Sequence, residues 1–179
     1  EIDRLAAAGL TGLTIGQAGG HHDHYLDGLA YEGDLTLRAD GAEGDFYVLS
    51  ELRHGGGELQ YVGSGETQST SADTVTDGTP INVEDSVQLV YTATNQNVIL
   101  MDTTDGGNHP DGANILITGD VLGSAEADGG TLQLNAGTGG EIRIKGSVGV
   151  GAALGKLEIL QAADVVIEGD LLLGGFVQH

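Results

Sequence analysis

The sequence has no cysteine, no tryptophan, two prolines, two phenylalanines and only six lysines and arginines among 179 residues. Without cysteine no disulfide can form. Two prolines and no Gly-X-Y period exclude collagen. An aromatic share of 4% is too low for a globular core built on large side chains. Six cations face 27 acids, a net charge of −21. Such a chain repels nucleic-acid phosphates and anionic bilayers, and it attracts divalent cations. Neither nucleic acid nor membrane insertion is therefore expected, and no apolar run is long enough to span a bilayer.

What is abundant is glycine, 32 residues, alongside a hydrophobic content of 39%. That content is too high for a disordered chain. Glycine with small aliphatic residues fits an all-β structure with many tight corners. The sequence also repeats. "NILITGDVLG" (114–123), "EIRIKGSVG" (141–149) and "DVVIEGDLLLGG" (164–175) align position by position. Ile115, Ile142 and Val165 correspond, as do Ile117, Ile144 and Ile167, and then Val121, Val148 and Leu171. Gly119, Gly146 and Gly169 fall 27 and 23 residues apart. A second set comprises "TLQLNAG" from Thr131 and "KLEILQA" from Lys156, with "DLTLRADG" from Asp34 read as an earlier copy.

Each segment alternates apolar and polar residues, as a half-buried strand does, and ends in glycine. A pattern returning about every 25 residues predicts a parallel β-solenoid (β-helix) with inward ladders of Ile, Leu and Val. Seven coils at ~4.8 Å each would make a rod of roughly 35 Å. The rhythm is lost from Gly63 onward, where Ser, Thr, Asp and Gly dominate, and Val87–Asp102 reads as two strands around a turn. The expected organisation is N-terminal coils over 1–62, an irregular or hairpin excursion over 63–114, and C-terminal coils over 115–179. "EIDRLAAAGL" is the one stretch with a helical pattern. Its lack of an initiating Met suggests a processed product or an excised fragment.

The phrases "EIDRLAAAGLTGLTIG", "GDLTLRADG", "GTLQLNAGTGGEIRIKGSVG" and "LGKLEILQAADVVIEGDLLLGG" resemble the coils of filamentous-haemagglutinin-like giant bacterial exoproteins, over about 1–56 and 113–178. The resemblance implies a secreted, cell-surface adhesin or extracellular filament in which such coils form a rod-like scaffold. It brings no catalytic residues with it. A glycan-binding module on a β-helix is the alternative, and a β-helical polysaccharide-degrading enzyme a more distant one. The expected partners are further coils of the same protein or other copies, meeting end to end, and a host or matrix glycan or protein.

Three motifs invite chemistry. "GVGAALGKL" (149–157) has the look of a phosphate-binding loop. However, only three residues separate Gly151 from Gly155, and Leu157 stands where a hydroxyl is required. The repeat makes it a solenoid corner. "HHDHY" (21–25) could place His22 and His24 on one strand face for a transition metal. The best cation candidate is "DTTDGGNHPDGAN", in which Asp102, Asp105, Asn108, Asp111 and Asn114 set hard oxygens at three-residue intervals, as calcium prefers. Acidic residues also favour tight turns on their own account. Tyr25, Tyr31, Tyr47 and Tyr61 could stack on sugars or pack the core. No acid pair, nucleophile elbow or basic cluster marks a catalytic site.

Overall fold

The computed structural model describes residues 10–41, 44–91, 97–123 and 129–179, with the side chains of 64–69 outside the description. The N-terminal segment expected to be helical lies largely outside these residues. Among the described residues every element is a strand. Among the described residues no helix is long and apolar enough to cross a membrane.

The strands wind a parallel β-solenoid of about six turns. Its first turn holds β1 (Gly12–Gln17), β2 (His24–Leu26) and β3 (Leu29–Glu32), one on each of three faces. The second holds β4 (Asp34–Ala39), β5 (Phe46–Val48) and β6 (Leu52–Gly55). Next come β7 (Leu59–Thr70) and β8 (Thr74–Thr76), then β9 (Ile81–Leu89) and β10 (Val98–Asp102). The regular order resumes with β11 (Ile115–Ile117), β12 (Val121–Leu122) and β13 (Thr131–Asn135). It continues with β14 (Glu141–Ile144), β15 (Val148–Val150) and β16 (Leu154–Gln161), and ends with β17 (Asp164–Ile167) and β18 (Leu173–Gln178).

On the first face the order is β1-β4-β7-β9-β11-β14-β17, and on the third it is β3-β6-β8-β10-β13-β16-β18. The long strands β7 and β9 round the corner unbroken, fusing the first and second faces into one eleven-stranded sheet. Every ladder is parallel, so each strand meets its counterpart one turn later. Gly12 pairs with Asp34, Leu35 with Leu59 and Leu59 with Ile81, steps of 22, 24 and 22 residues. Ile81 then pairs with Ile115, Ile115 with Ile142 and Glu141 with Asp164, steps of 34, 27 and 23.

Alternation along each strand sends every second residue inward, which builds columns. One first-face column runs Leu35, Leu59, Ile81, Ile115 and Ile142, all fully buried. A parallel column runs Leu37, Tyr61, Val83, Ile117 and Ile144. On the third face, Ile99, Leu132 and Leu157 stack beneath Phe176. Narrow columns of branched aliphatics fill the interior, which accounts for the scarcity of aromatics. In the C-terminal rungs the corner after the first face needs glycine for a steric reason. A Cβ on Gly146 would overlap the Gly119 carbonyl, and one on Gly169 would overlap that of Gly146.

Two expectations require correction. "DLTLRADG" forms β4 on the first face and pairs with β7, so it belongs with the Ile115 and Ile142 segments and not with "TLQLNAG". Leu-x-Leu alternation is the same on every face, so pattern alone could not separate them. Within 63–114, the strands β7 to β10 take rung positions on the coil, and the stretch between Asp102 and Asn114 leaves it. β7 and β9 pair along both halves of their length, while β8 and β10 occupy adjacent positions on the third face. The hairpin expected over Val87–Asp102 does not form, because β9 and β10 lie in different sheets. The rhythm was hidden because several inward positions here are polar. Thr70, Thr74, Thr76 and Thr103 are buried, and the hydroxyls of Thr70 and Thr76 donate to the nearby carbonyls of Ala72 and Thr79. The Thr103 hydroxyl lies 3.0 and 3.2 Å from the carbonyls of Ala113 and Asn135.

Candidate functional site

The five residues proposed for calcium lie on the 34-residue step between β9 and β11, the widest departure from the coil. Each of them is engaged with protein partners of its own. Asp102 is buried, and its carboxylate accepts from the Thr104 N–H at 2.8 Å, the Thr104 hydroxyl at 2.7 Å and the Gly106 N–H at 2.9 Å. Asp105 accepts from the Asn108 amide at 3.0 Å and from Arg53 at 2.7 Å. These two donors, Asn108 first, hold its carboxyl below the usual carboxylate range. Asp111 accepts from the Thr138 hydroxyl at 3.1 Å, and Asn114 from the Glu141 N–H one turn later at 2.8 Å. The acids serve as turn and rung fasteners. Among the described residues no group of three or more His, Asp or Glu side chains is arranged to hold a metal.

The glycine-rich 149–157 stretch is the corner between β15 and β16. Gly149 has φ of 85°, and a Cβ there would strike the Leu172 carbonyl, so glycine is required by the next rung. Lys156 lies on a strand with its ammonium 2.8 Å from Glu158. Lys156, then Gln133 and His179, hydrogen-bond the Glu158 carboxyl and lower its pKa to about 2.

Two other places concentrate functional groups. The first is a groove on the outer side of the third face, lined by Glu32, Arg53, Asp77 and Asp105, with His54 and Tyr31 behind. Arg53 is fixed there between Glu51 and Asp105. His54 is buried, its Nε2 2.6 Å from the Gly33 carbonyl and its Nδ1 without a hydrogen-bond partner. Burial lowers its pKa, opposed by the Gly33 carbonyl and by Asp77 and Asp34.

The second is the "HHDHY" region, where no ligand set forms. His24 stacks on Phe46 at 4.8 Å and 17°, and Tyr25 stacks on Tyr47 at 4.8 Å and 11°. Tyr31 and Tyr61 are buried, which leaves Tyr25 and Tyr47 as the surface pair of the four tyrosines considered above. The signal lay in the sequence: "DHYL" (23–26) recurs as "DFYV" (45–48), 22 residues on.

No protein-family model matches the chain, and no curated protein or solved structure does either. Among the described residues, two further basic groups are tied in ion pairs. Arg38 lies 2.7 Å from Asp40, and Arg143 bridges Glu141 on its own strand and Glu168 on the next rung. The shared face of Arg143 and Lys145 is thus partly neutralised.

Proposed function

We propose that this chain is a rod segment of a secreted, cell-surface bacterial adhesin or extracellular filament, extended by rung-on-rung stacking. The observation that carries this reading is the C-terminal rung. Val165, Ile167, Leu173 and Phe176 sit directly over Ile142, Ile144, Leu154 and Leu157, and Leu171 bridges to Val148. The lower row is buried throughout, whereas the upper row is not: Leu171 is 49% and Phe176 48% exposed. The same residues that fill the interior elsewhere here face outward along the axis.

Covering what remains exposed of these five side chains, about half of Leu171 and Phe176 and less of the other three, would contribute about 3 kcal/mol, before any backbone pairing. The edge also offers a row of strand N–H and C=O groups to a further parallel rung. Further coils of the same protein, or another copy, fit this end. The net charge of −21 opposes lateral association of flanks. A non-enzymatic role is supported by the engagement of Arg53, Arg143 and Lys156 in ion pairs. A binding module carried on the rod is the second reading, favoured by the exposed tyrosine stack.

The test is the solution mass of the 179-residue chain across concentration, in calcium and in chelator, beside Phe176→Glu. Concentration-dependent association of the parent, weakened in the folded variant, is expected. A folded monomer at high concentration in both conditions would sink the stacking reading.

A further inference from the structure

The two tyrosines are not needed by the core. In β2 and β5 the inward residues are Leu26 and Val48, and His24 on Phe46 closes the corner. Tyr25 and Tyr47 point out, in register, with ring centroids at 4.8 Å, the inter-rung distance. The ring planes therefore lie across the solenoid axis, like two rungs of a second, external ladder. Tyr25 is its outer member and is 63% exposed. Each hydroxyl lies 3.4 Å from the aspartate two residues earlier, Tyr25 from Asp23 and Tyr47 from Asp45. The Asp45 N–H reaches the Asp23 carboxylate at 3.3 Å, tying the two turns together. Burial, then the charges of Asp23 and Asp45, raise the pKa of the Tyr47 hydroxyl.

We propose that the Tyr25–Tyr47 stack, with Asp23 and Asp45 at its edge, is a docking point for an arginine side chain of a basic protein segment. A guanidinium is planar and can add one more layer to an aromatic stack while its N–H fork reaches a carboxylate at the ring edge. An ammonium has the charge but not the plane. A neutral pyranose has a face to stack but takes nothing from the field of a chain carrying −21. That field draws cationic segments toward the rod and repels another copy of the same flank. The inference does not rest on end-on stacking, which is read from the C-terminal rung; a copy stacked head to tail would cover the outer face of Tyr25, so the titration is run at a concentration where the chain is monomeric.

The experiment titrates the full chain, at low ionic strength, with arginine methyl ester, lysine methyl ester and methyl glucoside, following the tyrosine ring resonances by NMR. Arginine should move the Tyr25 and Tyr47 signals at concentrations several-fold below lysine, with no response to the glucoside. In Tyr25→Leu the arginine-dependent shift at Tyr47 should disappear while the melting temperature changes little. In Asp23→Asn several-fold more arginine should be required. Equal responses to arginine and lysine, unchanged in Tyr25→Leu, would reduce the site to diffuse charge attraction and overturn the proposal. A response to the glucoside alone would make it a sugar platform, and silence with all three would leave a purely structural stack. Either outcome also overturns it.

Discussion

Replacing Ile144 with alanine and, separately, Ile167 with alanine perturbs one inward column at two heights. Ile144 is fully buried, with Ile117 beneath and Ile167 above. Truncating a buried isoleucine costs about 2–5 kcal/mol, more where the surroundings cannot collapse into the void. Ladder hydrogen bonds on both sides hold the neighbouring rungs at their spacing, so the upper half of the range, about 4 kcal/mol, is expected. Ile167 is only half-buried and has Ile144 on one side alone, so about 2 kcal/mol should be lost. In a chain of this size 1 kcal/mol moves the melting temperature by roughly 2–4 °C. The shifts should therefore be about 12 °C and about 6 °C. Circular dichroism melts in dilute solution measure both, and hydrogen exchange should place the Ile144→Ala loss on β11, β14 and β17, since each rung contacts only its neighbours. Equal shifts in the two variants would refute the open end. A shift below about 3 °C for Ile144→Ala would refute the register itself.

Gly146→Ala should destabilise by roughly 3 kcal/mol or more, because its Cβ would meet backbone that cannot move without separating rungs. Gly151→Ala, with φ of 76° and open space around it, should cost only about 1 kcal/mol; similar losses in urea unfolding would contradict the corner packing. His54 has its pKa lowered from 6.5 by burial, so the unfolded chain takes up the proton first. Its contribution is then full above pH 6.5 and is lost as pH falls through the depressed folded value. Unfolding midpoints measured across that window should slope in the parent and be flatter in His54→Gln, and an unchanged slope would disprove the assignment. Millimolar calcium should leave the melting temperature unmoved, because Asp102, Asp105, Asp111 and Asn114 already accept protein hydrogen bonds. A clear rise would mean that these oxygens turn outward to bind.

The sequence by itself determined the architecture wherever inward positions are aliphatic. Ile115, Ile142 and Val165, with Gly119, Gly146 and Gly169 behind them, announce a stacked coil because the ladder favours apolar side chains and the corner at these three rungs has no room for a Cβ. It also carried the Asp-x-Tyr pair of the candidate docking point, readable as "DHYL" and "DFYV". Which face a Leu-x-Leu segment occupies was decided only by the fold. A period of two is common to all three faces, and the choice rests on how many residues turn each corner. The fold also decided that Thr70, Thr74, Thr76 and Thr103 belong inside, because a buried hydroxyl is tolerable only where a neighbouring carbonyl or N–H stands within reach. The hydrogen-bond partners of the acids at 102–114 were likewise legible only in the fold. Whether a carboxylate binds a cation or fastens a turn depends on which donors lie within about 3 Å of it, and here the tertiary structure supplies backbone N–H groups, hydroxyls and Arg53.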